Sequence, residues 1–191
     1  LVNGSGTASV VSIQSTSNVT VRLANLWIQG GNNSDGGGIS AVMSGQLTLD
    51  NVLLLSNLAT RGGGLFASQT GTFLQINMLE SDIIGNTAGQ SGGGVFCQGL
   101  TSVWVDVGSS IANNGAINGG GAFVDGNCGL SVYAGVNPSL SAANVGVMSN
   151  HASGSGGGVF AQNMGQVFIL GGTDISGNFG DPTAPASVSR N

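Results

Sequence analysis

Acid–base chemistry would depend on the ionisable side chains, and this chain of 191 residues has few of them. Cleavage of a polysaccharide needs two carboxyl groups held close together, or a calcium site with a basic residue as proton acceptor. The acidic residues are Asp35, Asp50, Glu80, Asp82, Asp106, Asp125, Asp174 and Asp181. Glu80 and Asp82 would share a face of an extended strand, with only Arg61 as a basic residue in their vicinity. We therefore expect solvated turn residues, and the sequence predicts no catalytic residue, metal site or cofactor.

The single histidine, His151, lies between Asn150 and Ala152. Similar Asn-x-Ala motifs elsewhere in the chain have Leu58, Thr87 or Gly115 at the same position. A position that accepts such different side chains is typical of an exposed turn, so His151 is expected to face solvent rather than to act as a catalyst or a ligand.

The charge of the chain argues against two classes of partner. Charged residues make up 6% of the sequence and the net charge is −5, whereas an ordinary soluble domain has about 25% charged residues. Nucleic acids and anionic membrane surfaces both require a basic face, so neither is expected. No apolar run is long enough for a transmembrane helix, and we interpret the chain, which does not start with Met, as a mature fragment or an internal piece of a larger protein.

A glycine triplet followed by a short apolar segment occurs five times. The copies begin at Gly36, Gly62, Gly92, Gly119 and Gly156, with steps of 26, 30, 27 and 37 residues. A period of this size predicts one structural unit stacked on copies of itself.

A second motif, Asn-x-Ala, repeats with a period similar to that of the triplets. It begins at Asn57, Asn86, Asn114 and Asn150, and a degenerate copy begins at Asn178, with steps of 29, 28, 36 and 28 residues. The long step predicts an insertion of about eight residues near Tyr133 to Ser141. The asparagines are expected at tight bends, because Asn tolerates left-handed backbone and its amide can bond to neighbouring groups.

Each period contains three short strand-like runs separated by turn residues, and no window has sustained helical periodicity. These features predict an all-β fold, a right-handed parallel β-helix of about seven coils with three short strands each. We expect residues 1–181 to form a single solenoid domain and residues 182–191, which begin with Pro182, to be a linker or an exit segment.

The repeats resemble those of right-handed parallel β-helix proteins, in particular the Gly-Gly-x-Ile and Asn-rich repeats of polymorphic outer-membrane proteins and autotransporter passengers. The resemblance covers residues 30–180 well and residues 1–29 loosely. It implies a surface-exposed stalk or adhesin, although the triplet here prefers Val-Phe after it.

Four phenylalanines, Phe66, Phe96, Phe123 and Phe160, occupy the second position after a triplet. The first and third positions are small and apolar, so strand alternation places the phenylalanines outside the core, as an exposed ladder suited to an interface. On this interpretation Phe66→Ser would weaken assembly and leave the fold intact. The alternative is that alternation breaks beside the tight corner and the aromatic rings stack inside.

The two cysteines and three sequons bear on the compartment. Cys97 and Cys128 would lie on adjacent coils, about four positions apart along the strand, so a disulfide requires a bend after Phe123; otherwise Cys97 is a small buried apolar residue. N-glycosylation sequons are present at Asn3, Asn18 and Asn32, and they matter only in a eukaryotic secretory protein.

Our first hypothesis is a non-enzymatic extracellular structural or adhesive β-helix, a segment or subunit of a larger surface protein, filament or layer. Such a chain would associate with itself or with other surface or filament proteins. The second is a glycan-binding module that uses Trp104 and the inserted loop from Tyr133 to Ser141. The third, less favoured, is a polysaccharide lyase or hydrolase, for which loss of activity in Asp82→Asn would be the evidence.

Overall fold

The computed structural model describes residues 1–134 and 145–180, and every regular element in these ranges is a β-strand. The strands of the first half are β1 (Val2–Asn3), β2 (Val11–Gln29), β3 (Asn32–Asp35), β4 (Ile39–Leu55), β5 (Leu58–Arg61), β6 (Leu65–Leu79), β7 (Asp82–Ile84), β8 (Thr87–Ser91) and β9 (Val95–Gln98). Those of the second half are β10 (Thr101–Val105), β11 (Ser110–Ala112), β12 (Gly115–Ala116), β13 (Ala122–Asp125), β14 (Gly129–Tyr133), β15 (Gly146–Met148), β16 (His151–Ala152), β17 (Val159–Ala161) and β18 (Gln166–Leu170).

The strands form a parallel β-solenoid, which confirms the predicted fold class. Each strand pairs with its equivalent one coil away, so that Leu65 lies opposite Val95, and Val95 lies opposite Ala122. A 13-stranded sheet wraps most of the solenoid, and a 5-stranded sheet, in the order β16-β12-β8-β5-β3, completes each coil.

Two details of the coil differ from the prediction. The solenoid has about five turns instead of seven, and the smaller sheet has one strand from each of five successive coils. Each complete coil also has a fourth strand, because the residues that follow the Asn of each Asn-x-Ala motif form a strand of the smaller sheet and not a turn. Ala59 and Ala88 of this motif are buried, which gives that strand its inward face.

The core is a stack of apolar side chains in register. One column contains Ile39, Leu65, Val95 and Ala122, all with no exposed surface. A single coil of short strands has too little apolar surface to form a core by itself, so stacking of neighbouring coils creates the buried interior.

The glycine triplets form the sharpest corner of each coil. Their first residues have positive φ, for example 67° at Gly92. Their second residues meet the next coil so closely that a Cβ atom on Gly93 would overlap the carbonyl oxygens of Gly120 and Gly115. Glycine is therefore required twice, once for backbone conformation and once for space.

The left-handed residues at the Asn corner precede the asparagines, which corrects our expectation that the asparagines themselves adopt that conformation. The residues with positive φ are Ser56, Gly85, Asn113, Ser149 and Gly177. The inserted loop lies largely outside the described residues, since these omit 135–144, and so does the predicted exit segment 182–191.

Candidate functional site

The carboxylates in the described residues are distributed over several coils, and three of them have separate partners. Asp35 and Asp50 are ion-paired, with Arg61 and Arg22 respectively. Asp82 accepts a hydrogen bond from the Ser110 hydroxyl at 2.6 Å. Within residues 1–134 and 145–180, no three His, Cys, Asp or Glu side chains are grouped as metal ligands.

His151 is exposed, as expected, but it lies in strand β16, where the sequence predicted a turn. It pairs with Gly115 of β12 in the smaller sheet. Leu58 and Thr87 occupy the same outward-facing column and are also exposed, which explains why this position accepts unrelated side chains.

The repeated asparagines form a buried hydrogen-bonded ladder along the solenoid. Asn57, Asn86, Asn114 and Asn150 are at most 2% exposed. Each side-chain amide bonds to the asparagine one coil away and to a main-chain carbonyl, as when Asn114 Nδ2 donates to Ile83 O at 2.8 Å. Their amides do bond to neighbouring groups as predicted, and this ladder stabilises the corner internally.

The phenylalanine column is buried, so the prediction of an exposed ladder is wrong. Phe66, Phe96 and Phe123 are 3%, 3% and 5% exposed, and Phe160 near the C-terminal end is half-buried. Their rings stack with centroid separations of 5.4, 5.2 and 5.1 Å along the column.

Alternation is nevertheless preserved, because these rings form a cluster separate from the main core. The corner at each triplet bends the chain back on itself, and a Cβ atom on Gly92 would approach the Phe96 Cα atom to 3.0 Å. The outward face of the strand is therefore covered by the corner and by the neighbouring rings.

Arg61 covers part of this column, a contact that the sequence did not predict. Its guanidinium carbon lies 5.1 Å from the ring centroids of both Phe66 and Phe96. Two hydrogen bonds to Asp35, at 2.8 and 2.9 Å, hold the guanidinium in this orientation. In the sequence, Arg61 lies directly before a triplet. That position alone predicts neither Asp35 nor the phenylalanine rings as its partners.

Cys97 and Cys128 are joined by a disulfide, with Cα atoms 6.0 Å apart. A tight turn, in which Cys128 N–H donates to Asp125 O at 3.2 Å, brings Cys128 back towards the coil that contains Cys97. Both residues have no exposed surface. The bend after Phe123 that the pairing requires is therefore present.

The three sequon asparagines are all exposed, Asn3 in β1, Asn18 in β2 and Asn32 in β3. Of the contacts proposed for a glycan, Trp104 is 43% exposed on the outer face of β10. It borders a trough of about 240 Å³ lined by Thr48, Gln75, Asn77, Leu79, Trp104 and Asp106.

Both ends of the described stack expose residues of the core columns. Val11 and Ile13 of β2 are half-buried, whereas their register partners Ile39 and Ala41 are fully buried. At the other end Ile169 is 47% exposed, whereas its partner Val132 is fully buried. In the described residues, β17 and β18 pair on one side only, and most of β2 does so as well.

No protein-family model, curated protein sequence or solved structure matches this chain. In the described residues, no helix has the length and hydropathy needed to span a bilayer.

Proposed function

We propose that this chain is a non-enzymatic extracellular β-solenoid with a structural or adhesive role, acting as a segment or subunit of a larger surface protein, filament or layer. The observation that carries the proposal is that both ends of the described stack, within residues 1–134 and 145–180, expose core columns and strand edges that pair on one side only. An unpaired edge above an apolar column is a template for further coils. The occupant we infer is the complementary end of another copy or of an adjoining repeat segment.

The extracellular assignment is supported by the cysteines and the sequons. Disulfides persist mainly in oxidising compartments, and Cys97 and Cys128 form one within the buried core. Exposed sequon asparagines such as Asn18 are accessible to glycosylation. The resemblance of the repeats to those of outer-membrane and autotransporter passenger proteins supports a right-handed, surface-exposed stalk.

Electron microscopy and light scattering of the full chain, purified from its native source, test the assembly role. We expect elongated filaments or ordered layers whose length depends on protein concentration, because head-to-tail contacts that continue the solenoid along its axis form an open filament and not a closed ring. Single short rods at all concentrations would contradict a filament subunit.

A matched pair of variants tests whether the ends are responsible. Ile169→Glu places a charge on the exposed C-terminal core column, where Ile169 is 47% exposed. Phe73→Glu places the same charge at the side of the solenoid, where Phe73 is 45% exposed. We expect Ile169→Glu to disperse the assemblies and Phe73→Glu to leave them intact, and the reverse result would indicate lateral packing.

A further inference from the structure

Trp104 lies at the centre of an outer face that combines an aromatic ring with fixed polar groups. In register with it along the solenoid are Asn77 and Thr48 on one side, and Ser131 and Phe168 on the other. Both immediate neighbours, Asn77 and Ser131, are smaller than tryptophan, and the Trp104 side chain remains 43% exposed. We propose that the trough beside Trp104 binds a neutral saccharide, with the indole stacked against a sugar ring.

The polar lining provides donors and acceptors in fixed positions. Gln75 Nε2 donates to Asn77 Oδ1 at 2.8 Å, which orients both amides. This bond uses one of the Gln75 N–H groups and one acceptor site of Asn77, so each amide retains groups for ligand hydroxyls. Thr48 and Asp106 add a hydroxyl and a carboxylate to the same trough. An aromatic surface with a few placed polar groups is typical of small-ligand sites, and a sugar matches it with apolar C–H faces and a rim of hydroxyls.

The charges on this face favour a neutral ligand over an anionic one. The trough is lined by one carboxylate, Asp106, and by no basic residue. Arg22 lies opposite Thr48 in the same column, and it is ion-paired with Asp50. The whole chain has a net charge of −5. An acidic polysaccharide would therefore meet repulsion without a compensating cation.

A second aromatic ring extends the surface along the solenoid axis. Phe168 is 47% exposed and lies two strands from Trp104, with Ser131 between them. Two strand spacings correspond to about 9–10 Å. A saccharide chain running parallel to the axis would cross the polar trough, Trp104 and then Phe168, so an oligosaccharide is expected to bind more tightly than a single sugar.

Tryptophan fluorescence of the full chain provides a direct test. The probes are cellohexaose, xylohexaose, mannohexaose and chitohexaose, with polygalacturonate and heparin as anionic polymers. The variant Trp27→Phe leaves Trp104 as the one tryptophan reporter. We expect saturable binding of at least one neutral oligosaccharide and none of the anionic polymers.

Matched variants then locate the site, with folding checked by circular dichroism. Trp104→Ala and Asn77→Ala, measured by calorimetry, should each weaken binding about tenfold or more. Trp27→Ala removes a tryptophan that is 60% exposed outside the trough, and it should leave binding unchanged. Trp104→Phe should retain part of the affinity, because an aromatic platform remains.

Three results would overturn the proposal: no binding of any neutral probe, preferential binding of an anionic polymer, or equal loss in Trp104→Ala and Trp27→Ala. The site does not depend on the assembly role, since the trough lies on the side of the solenoid. Ile169→Glu should therefore abolish assembly and retain sugar binding, which distinguishes failure of one proposal from failure of the other.

Discussion

The Oδ1 atom of Asn86 accepts two hydrogen bonds from Asn57, from the backbone N–H at 2.9 Å and from the Nδ2 group at 3.0 Å. Asn86 Nδ2 in turn donates to Leu54 O at 2.9 Å and to Asn114 Oδ1 at 3.1 Å. A buried amide that bonds to both adjacent coils links three successive turns of the solenoid.

Replacement of Asn86 by alanine should therefore destabilise the fold strongly. The variant leaves the Asn57 N–H and the Leu54 carbonyl without these partners inside the protein, and each buried unsatisfied group costs about 1–3 kcal/mol. We expect a loss of roughly 3 kcal/mol or more in the free energy of unfolding, measured by urea denaturation. Asn33→Ala, at an exposed asparagine of β3, is the control, and equal losses in both variants would contradict a structural ladder.

The second glycine of a triplet is expected to tolerate no side chain. In Gly93→Ala the new Cβ atom would overlap the backbone oxygens of Gly120 and Gly115, which cannot move without separating two coils. Overpacking of this kind costs about 1–3 kcal/mol or more, and we expect the upper end of that range by thermal or urea unfolding.

The control for this glycine is Gly85→Asn. Gly85 has a φ of 65°, but the equivalent positions contain Ser56 and Asn113, and the nearest atom to an added Cβ lies 3.8 Å away. We expect little change in stability. If Gly93→Ala were as stable as Gly85→Asn, close approach of the neighbouring coil would not be the constraint at Gly93.

Truncation of a stacked phenylalanine should destabilise the fold, contrary to the sequence-based expectation for Phe66→Ser. Phe96 is 3% exposed and its ring stacks on Phe66 and Phe123. Phe96→Ala should cost about 3–5 kcal/mol, as buried phenylalanine truncations do. Phe73→Ala, at an exposed ring, should change the unfolding free energy by less than about 1 kcal/mol. A neutral Phe96→Ala would restore the interpretation of the column as a surface.

The phenylalanine column shows which features of the fold the sequence predicts and which it does not. Alternation correctly places Leu65 and Ala67 in the core and Phe66 on the opposite side of the strand. Periodicity alone does not report the angle of the corner that covers the ring, because that angle depends on backbone contacts between coils. The sequence also does not predict the trough at Trp104, because the trough depends on the strand register that places Asn77 beside Trp104.

Arg61 should not be replaceable by lysine. Its guanidinium forms two hydrogen bonds with Asp35 and covers the rings of Phe66 and Phe96, whereas an ammonium group is compact and cannot make the same planar contacts. The side chain is 36% exposed, so we expect a modest loss of about 1 kcal/mol in Arg61→Lys. Arg22→Lys, at a guanidinium that is 63% exposed, is the control and should be nearly neutral. Equal effects would show that the contact with the rings contributes nothing measurable.

Removal of the disulfide tests how much the crosslink stabilises the solenoid. Cys97 and Cys128 are separated by 31 positions, and closing a loop of that size should stabilise the native state by about 3–4 kcal/mol. Alanine fits the Cys97 column, where the preceding coil has Ala67 in register. The Cys97→Ala/Cys128→Ala double variant should therefore still fold, and it should unfold at a lower urea concentration than the parent chain.

Because both cysteines have no exposed surface, the disulfide of the native protein should also resist reduction by dithiothreitol until the protein unfolds, as measured by thiol labelling. Rapid labelling of the folded protein, or a double variant as stable as the parent chain, would contradict a stabilising crosslink inside the core.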